Sequence, residues 1–236
     1  MRRKSTYEAG KVRILLASAS RRRNSWLKEK ITGYDCEIEA RALKFNEPKP
    51  KWGLLVEEQV ELTCLAKASA AVEEMAIASM AGKKDPDVII VSDTIVSDPD
   101  DYLMPLGKPD DQQHAMAMLL RLSGSRHRVW SSTAIITCDG KYDALDDTFP
   151  LHGEWVAQIW TESAIVEFDH LTQDELIGLI TNDSWKGKAG AYDMAADASK
   201  YTRLIEGNEV TVLGFASSAM SSLMEIFHKD KNKSEL

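Results

Sequence analysis

The sequence Ile14-Leu-Leu-Ala-Ser-Ala-Ser-Arg-Arg-Arg-Asn-Ser-Trp-Leu27 decides how this chain is interpreted. An apolar run typical of a buried strand stops at two serines, three consecutive arginines follow, and a helix-like segment begins. The start of a helix offers free backbone N–H groups and the positive end of the helix dipole. Arginine adds planar guanidinium groups that suit phosphate oxygens. We therefore expect this segment to bind a phosphorylated small molecule.

The composition indicates a globular protein with a local basic pocket. The chain has 236 residues, of which 44% are hydrophobic, and this is enough to bury a substantial core. No apolar run approaches the length of a membrane span, and the basic residues 1–11 lack the apolar stretch of a secretory signal, so we expect a cytoplasmic protein with no membrane partner. The net charge of −8 disfavours a nucleic-acid partner. Because Lys and Arg are concentrated in residues 1–30, a small polyanion is the better fit.

Several common site types are missing from the sequence. The cysteines Cys36, Cys64 and Cys138 form no CxxC pair, which indicates a reducing compartment, and the histidines show no zinc-binding spacing. The chain contains no P-loop pattern, no G-x-G-x-x-G and no G-x-S-x-G. Classical nucleotide triphosphatases, dinucleotide-binding proteins and serine hydrolases are therefore not indicated.

Strand-like and helix-like segments alternate along the chain, and this alternation predicts an α/β fold. Residues 139–153 are polar and predict a surface excursion, while the charged residues 229–236 predict a disordered tail. The predicted strands are Val12–Ala17, Glu37–Ala42, Val88–Val96, Arg126–Thr137 and Glu154–Phe168. The predicted helices are Arg22–Lys30, Leu54–Met80, Asp110–Leu122, Thr172–Ile180 and Ala216–His228.

Asp93 is the most informative acidic residue, because it lies inside the strongest predicted strand. A carboxylate in an apolar strand is unfavourable unless it has a partner. A metal ligand or a base that activates water would explain it, and a capping or loop-closing aspartate is the structural alternative.

Three further charged residues are candidates with weaker signals. Glu47 lies in a proline-bracketed loop, where a solvated glutamate is the ordinary finding. Lys67 lies among alanines and leucines of the long predicted helix, where a lysine usually lays its stem along apolar surface. Lys108 follows a glycine and precedes a proline, so a rigid turn presents it, although Gly-Lys-Pro is a common sequence.

Taken in order, these segments resemble the Maf family of house-cleaning nucleoside triphosphate pyrophosphatases, which are historically linked to septum formation. The resemblance runs from about residue 14 to residue 214. It is carried by Leu16-Ala-Ser-Ala-Ser-Arg-Arg-Arg23, Asn46-Glu47, Lys67-Ala68, Ser92-Asp-Thr94, Leu106-Gly-Lys-Pro109, Leu122-Ser-Gly124 with His127, and Lys188-Ala-Gly-Ala-Tyr192. Each motif is weak alone, and their order and spacing together are specific.

The resemblance implies an elongated, mixed, twisted sheet flanked by helices, with two lobes of one domain (residues 12–228) around a nucleotide-binding cleft. It implies hydrolysis between the α- and β-phosphates of a nucleoside triphosphate, dependence on Mg²⁺ or Mn²⁺, and a homodimer as one arrangement. The residues it assigns to the triphosphate are Ser18, Arg22 and Arg23. It assigns the metal or the attacking water to Glu47 and Asp93, with Asp93 as the base, and charge neutralisation to Lys67 and Lys108.

The resemblance also bears on the substrate. Asp93-Thr94 and Lys188-Ala-Gly-Ala-Tyr192 look like the branch of the family that acts on dTTP and UTP, so pyrimidine triphosphates, including modified ones, are expected. Several positions depart from the family pattern. Arg21 replaces a proline, Gly187 an aspartate, Asp193 a glycine and Ala195 a glutamine, so the base-binding side is altered while the phosphate-binding set is kept.

Two other functions stay open from the sequence alone. A nucleotide-binding regulator of cell division with weak catalysis would keep the cleft, but it would have no need of a water-activating carboxylate at Asp93. A division factor that binds nucleic acid is disfavoured by the acidic balance.

Overall fold

A computed structural model describes residues 11–48, 53–142 and 145–234, with side chains as far as His228. It contains an eight-stranded mixed sheet flanked by helices. The strands are β1 (Val12–Leu16), β2 (Cys36–Ala40), β3 (Val88–Ser97), β4 (Pro105–Leu106), β5 (Arg126–Cys138), β6 (Phe149–Pro150), β7 (Trp155–Phe168) and β8 (Thr202–Glu206). The helices are α1 (Arg21–Lys30), α2 (Val56–Met80), α3 (Gln112–Leu122), α4 (Gln173–Thr181), α5 (Glu209–Leu213) and α6 (Ser217–Ser234).

The sheet combines a parallel part and an antiparallel part. Its order is β2-β1-β3-β5-β7-β6, with β4 paired to β3 and β8 paired to β7. β1 runs parallel to β2 and β3, whereas β5 is antiparallel to β3 and to β7. Since β1 and β3 are parallel neighbours, the chain leaves both at the same edge of the sheet, where ligands of α/β proteins commonly bind.

Both faces of the central strands are covered by helices, which explains their nearly continuous apolar sequences. Successive side chains of a strand point to opposite faces. Ile89 and Val91 of β3 pack with Cys64 and Ala68 of α2, whereas Ile90 packs on the other face with residues of α1 and α6. The same alternation places Asp93 on the α2 face and its neighbours on the α1 face.

Polar caps fix the starts of four helices, and Asn208 caps the short α5 by accepting from Val210 N at 3.0 Å. The hydroxyl of Ser20 accepts from Arg23 N at 3.3 Å at the start of α1, and the carboxylate of Asp111 accepts from His114 N at 2.8 Å at the start of α3. Thr172 and Glu175 form the capping box that the sequence predicts for α4. The α1 helix therefore begins at Arg21, where the family pattern has proline.

The predicted α/β class, with a mixed sheet flanked by helices, is confirmed, while the division into two lobes stays a prediction. The predicted strand Glu154–Phe168 corresponds to β7, which runs without a break from Trp155 to Phe168. The prediction of a disordered tail is wrong for residues 229–234, because α6 continues to Ser234. No local pattern predicted β8, and most of the basic segment 1–11 lies outside the described residues. In the part of the chain that the structure describes, no helix combines the length and apolarity needed to cross a membrane.

Candidate active site

A cleft of about 500 Å³ opens where the chain leaves β1. Its walls come from the β1–α1 turn, the loop before α2, the middle of β3, the β4–α3 loop and the segment after α4. The cleft brings together every residue that the sequence predicted for the site: Ser18, Arg22, Arg23, Glu47, Lys67, Asp93 and Lys108.

A cluster of carboxylates and ammonium groups occupies one side of the cleft. The Nζ atom of Lys67 lies 2.6 Å from Asp93 Oδ1 and 2.8 Å from Glu47 Oε1. Lys108 Nζ lies 3.0 Å from the same Glu47 oxygen. The second oxygen of each carboxylate makes no hydrogen bond to another described residue. The candidates that looked ordinary one at a time therefore form one connected group.

The electrostatics of this cluster keep Glu47 and Lys67 charged. Partial burial would raise the pKa of Glu47, but the charges and hydrogen bonds of Lys67 and Lys108 outweigh burial and lower the pKa to about 2. Burial would lower the pKa of Lys67, and the charges of Asp93 and Glu47 raise it above its ordinary value instead. Lys67 is thus a fixed cation that holds two carboxylates at one point.

Residues alternating along β3 explain how Asp93 reaches this cluster. Asp93 shares the α2 face with Val91, and Lys67 lies on α2 one residue before Ala68, which packs on that face. Only 9% of the Asp93 side chain and 11% of the Lys67 side chain are exposed. Their ion pair satisfies the requirement that a buried carboxylate be partnered.

Arg23 contacts β3 on both sides of Asp93. Its Nη1 atom donates to Ser92 O at 3.0 Å, and its Nη2 atom donates to Thr94 Oγ1 at 2.8 Å. Nη1 also lies 3.5 Å from Ser18 Oγ. Burial lowers the pKa of Arg23 to about 10, so the guanidinium stays charged at neutral pH. Binding of phosphate by Arg23 stays a prediction, and its observed contacts join α1 to β3.

A network of hydroxyl groups next to Asp93 was not predicted by any sequence motif. Ser92 Oγ lies 2.6 Å from Gly214 O and 2.8 Å from Ser132 O, and Thr133 Oγ1 donates to it at 3.1 Å. Thr133 Oγ1 also accepts from Ala216 N at 2.8 Å. The network ties β3 and β5 to the turn between α5 and α6. In the sequence, this network is indicated only by small polar residues inside apolar strands.

Asp193 lies beside the site and contacts two residues that line the cleft, and no sequence motif predicted this. Its Oδ1 atom lies 2.8 Å from Arg22 Nη1, and its Oδ2 atom lies 2.8 Å from Lys188 Nζ. Burial would raise the pKa of Asp193, but the charge of Arg22 and the hydrogen bond from Lys188 hold it below the ordinary value. The departure from a family glycine at this position was the one signal that could have drawn attention to it.

The segment after α4 is held in place by a buried pair of rings. His127 and Tyr192 are 3% and 5% exposed, and His127 Nε2 lies 2.8 Å from Tyr192 Oη. Burial lowers the pKa of His127 to about 4, so its imidazole is neutral at pH 7. Gly190 has φ +66°, and its N–H donates to Gly107 O at 3.1 Å. The glycine-bearing loop is therefore joined to the turn that presents Lys108.

The described residues contain no preformed metal-binding site. Among the described residues, no three His, Cys, Asp or Glu side chains are grouped closely enough to hold a metal ion. Within the described part of the chain, Glu47 and Asp93 are the carboxylates that line the cleft, and both contact Lys67.

Comparisons with known proteins agree with this arrangement. The chain is 30% identical over 218 residues to a dTTP/UTP pyrophosphatase of Shouchella clausii, covering 91% of this chain and 95% of that protein. A dTTP/UTP pyrophosphatase of Alkaliphilus oremlandii is 30% identical over 202 residues, covering 85% of this chain and 88% of that one. A human protein described as a probable bifunctional dTTP/UTP pyrophosphatase/methyltransferase protein is 30% identical over 206 residues, which cover 86% of this chain and 30% of the human one. The pattern of the family described as Maf-like protein matches residues 13–227. With the motifs gathered in one cleft and the match spanning the sheet and its helices, this chain belongs to the Maf family.

Proposed function

We propose that this chain hydrolyses dTTP and UTP, and related pyrimidine nucleoside triphosphates, to the nucleoside monophosphate and pyrophosphate. The observation that carries the proposal is the cluster of two lysines and two carboxylates in a cleft that arginines also line. Lys67 contacts Asp93 and Glu47, and Lys108 contacts Glu47, at distances of 2.6 to 3.0 Å. The relatives named dTTP/UTP pyrophosphatase support the choice of substrate.

In the proposed reaction Asp93 is the general base. Water attacks the α-phosphorus, its proton passes to the carboxylate of Asp93, and the bond from the α-phosphorus to the bridging oxygen breaks so that pyrophosphate leaves. The burial of Asp93 beside Lys67 fixes the position of the base, and general-base catalysis of this kind contributes about 10²–10⁴-fold to a rate.

The lysines and arginines have a separate task. A triphosphate carries several negative charges, so a nucleophilic oxygen approaches it only when cations screen those charges. Lys67 lies beside the base and Lys108 lies beside Glu47, and both would neutralise charge that develops on the phosphates. Ser18, Arg22 and Arg23 line the same cleft and would hold the phosphate chain.

A divalent cation fits the donor set of the cleft. Mg²⁺ and Mn²⁺ prefer oxygen ligands, and Mg²⁺ is often held by one or two carboxylates together with substrate phosphates. Glu47 and Asp93 each have one oxygen free of hydrogen bonds to the described residues, so these two residues would hold the ion. When bound, such an ion polarises the phosphoryl oxygens and lowers the pKa of water.

The experiment is a pyrophosphate-release assay with Mg²⁺ or Mn²⁺ across the canonical and modified nucleoside triphosphates. We expect dTTP or UTP to be cleaved to its monophosphate and Asp93→Asn to abolish most of the turnover. Asp98→Asn is the matched control, because Asp98 follows the same strand, is buried and is bound by Arg121 outside the cleft. Turnover of no triphosphate by the wild-type chain would contradict the proposal and favour a nucleotide-binding regulator.

A further inference from the structure

Asp193 lies directly behind two cations of the cleft. Arg22 comes from α1 and Lys188 from the segment after α4, and each contacts a different oxygen of the Asp193 carboxylate at 2.8 Å. Both cations line the cleft, whereas Asp193 is absent from its described walls. The carboxylate therefore joins two chain segments that are far apart in sequence, at a point next to the proposed phosphate site.

The carboxylate is fixed rather than free to follow its partners. Asp193 Oδ1 also accepts from the backbone N–H of Ala195 at 3.1 Å, so a local turn holds the side chain. Only 9% of this side chain is exposed. A fixed anion that binds two long, flexible cations reduces the conformational freedom of both.

Arg22 keeps an unused donor in this arrangement. Its Nη1 atom is bound to Asp193, while its Nε atom is buried and has no hydrogen-bond partner among the described residues. Buried polar groups are nearly always paired, so an unpaired donor beside a cleft indicates a missing acceptor. The Nε and Nη2 atoms of arginine form the edge that binds two phosphate oxygens at once.

We propose that Asp193 is a positioning residue. It holds Arg22 and Lys188 close together, so that both bind the pyrophosphate part of the triphosphate. Asp193 holds Arg22 by Nη1 and thereby leaves the Nε–Nη2 edge for phosphate. It holds the Lys188 ammonium beside that edge, so that two cations from different segments meet the same anion. This role rests on the proposed function, and the family motifs do not assign it.

The test measures binding of inorganic pyrophosphate by titration calorimetry, so it does not depend on turnover. We expect Asp193→Asn to weaken pyrophosphate binding about tenfold, because the amide keeps the turn but loses two charge-assisted contacts. In the release assay the KM for dTTP or UTP should rise by a similar factor, with kcat changed less than about threefold. Asp98→Asn, which removes a buried ion pair outside the cleft, should leave pyrophosphate binding unchanged.

A double-mutant cycle separates positioning from a general loss of structure. In an Arg22→Ala background, Asp193→Asn should weaken pyrophosphate binding by less than about threefold, because its principal partner is gone. Unchanged or tighter binding by Asp193→Asn alone would overturn the proposal and indicate that the carboxylate only neutralises the cations. A full tenfold loss in the Arg22→Ala background would overturn it as well. If the wild-type chain binds pyrophosphate but cleaves no triphosphate, the proposed function fails while this inference remains testable.

Discussion

Gly214 is the position at which a single methyl group should disturb both the fold and the active site. Its backbone has φ +122°, a conformation that residues with a Cβ rarely adopt. A Cβ added there would lie 2.7 Å from Arg23 Nε, 2.9 Å from Arg23 Nη2 and 3.1 Å from Thr94 Oγ1. Ser92 also donates towards the Gly214 carbonyl. The Gly214→Ala substitution therefore strains the backbone and pushes against the guanidinium that contacts β3 around Asp93.

The expected loss of stability follows from these two effects. A strained backbone conformation costs about 1–3 kcal/mol. Displacing Arg23 weakens its hydrogen bonds to Ser92 O and Thr94 Oγ1, and a hydrogen bond to a charged group contributes about 1.5–3 kcal/mol. We expect Gly214→Ala to lower the free energy of unfolding by about 3 kcal/mol in total. For a chain of this size that corresponds to a fall in Tm of roughly 6–12 °C.

Thermal unfolding and the pyrophosphate-release assay on the same preparations check this expectation. Because Asp93 lies between the two β3 residues that Arg23 contacts, kcat should also fall, by roughly tenfold or more. Gly178→Ala is the matched control, since Gly178 lies in α4, lacks a positive φ and has open space around an added Cβ. It should leave kcat unchanged and raise stability by up to about 1 kcal/mol. A Gly214→Ala variant with the Tm and kcat of the wild type would refute the reasoning.

Three further predictions concern the titratable groups. Asp93→Asn should lower kcat by about 10²–10⁴-fold with KM changed only a few-fold, as steady-state kinetics would show. Glu47 has a folded-state pKa of about 2, below its ordinary value, so it stabilises the fold above pH 4.5 and that contribution is lost as the pH falls towards 2. Its side chain is 46% exposed, so solvent screening limits the effect to about 1 kcal/mol, and urea unfolding of Glu47→Gln should show a weaker loss over this range. Burial lowers the pKa of His127 from 6.5 to about 4, so the unfolded chain binds its proton first and stability should fall by about 3 kcal/mol between pH 6.5 and 4. In His127→Gln that fall should be smaller, and an unchanged pH dependence of urea unfolding would show that another group is responsible.

The sequence predicted most elements because their local signals agree with the fold. β1 and β3 are apolar on both faces, and both are covered by helices. Ser20, Asp111 and Thr172 cap helices as short-range patterns indicate. β8 lacked such a signal, because its residues are mostly exposed and its position depends on antiparallel pairing with β7.

The gathering of the candidate residues in one cleft was predictable, and their contacts with one another were not. The order of motifs indicated Asp93, Glu47 and Lys67 as parts of one site, but no local pattern states that one ammonium group contacts both carboxylates. The pairing of Arg22 with Asp193 joins positions 171 residues apart. Contacts of this kind arise only when the sheet brings its edge and the later loops together, so a single sequence carries no direct record of them.

The distribution of charge in the cleft separates binding from chemistry. The ammonium groups of Lys67 and Lys108 balance the carboxylates of Asp93 and Glu47, so this cluster carries no net charge. The excess of positive charge lies instead on Arg22, Arg23 and Lys188, because Asp193 balances only one of the two cations that it contacts. A polyphosphate is attracted to the side with the excess. Its reacting phosphorus can then meet a base whose negative charge is already balanced, and the approach of the anionic phosphate is not opposed by an uncompensated carboxylate.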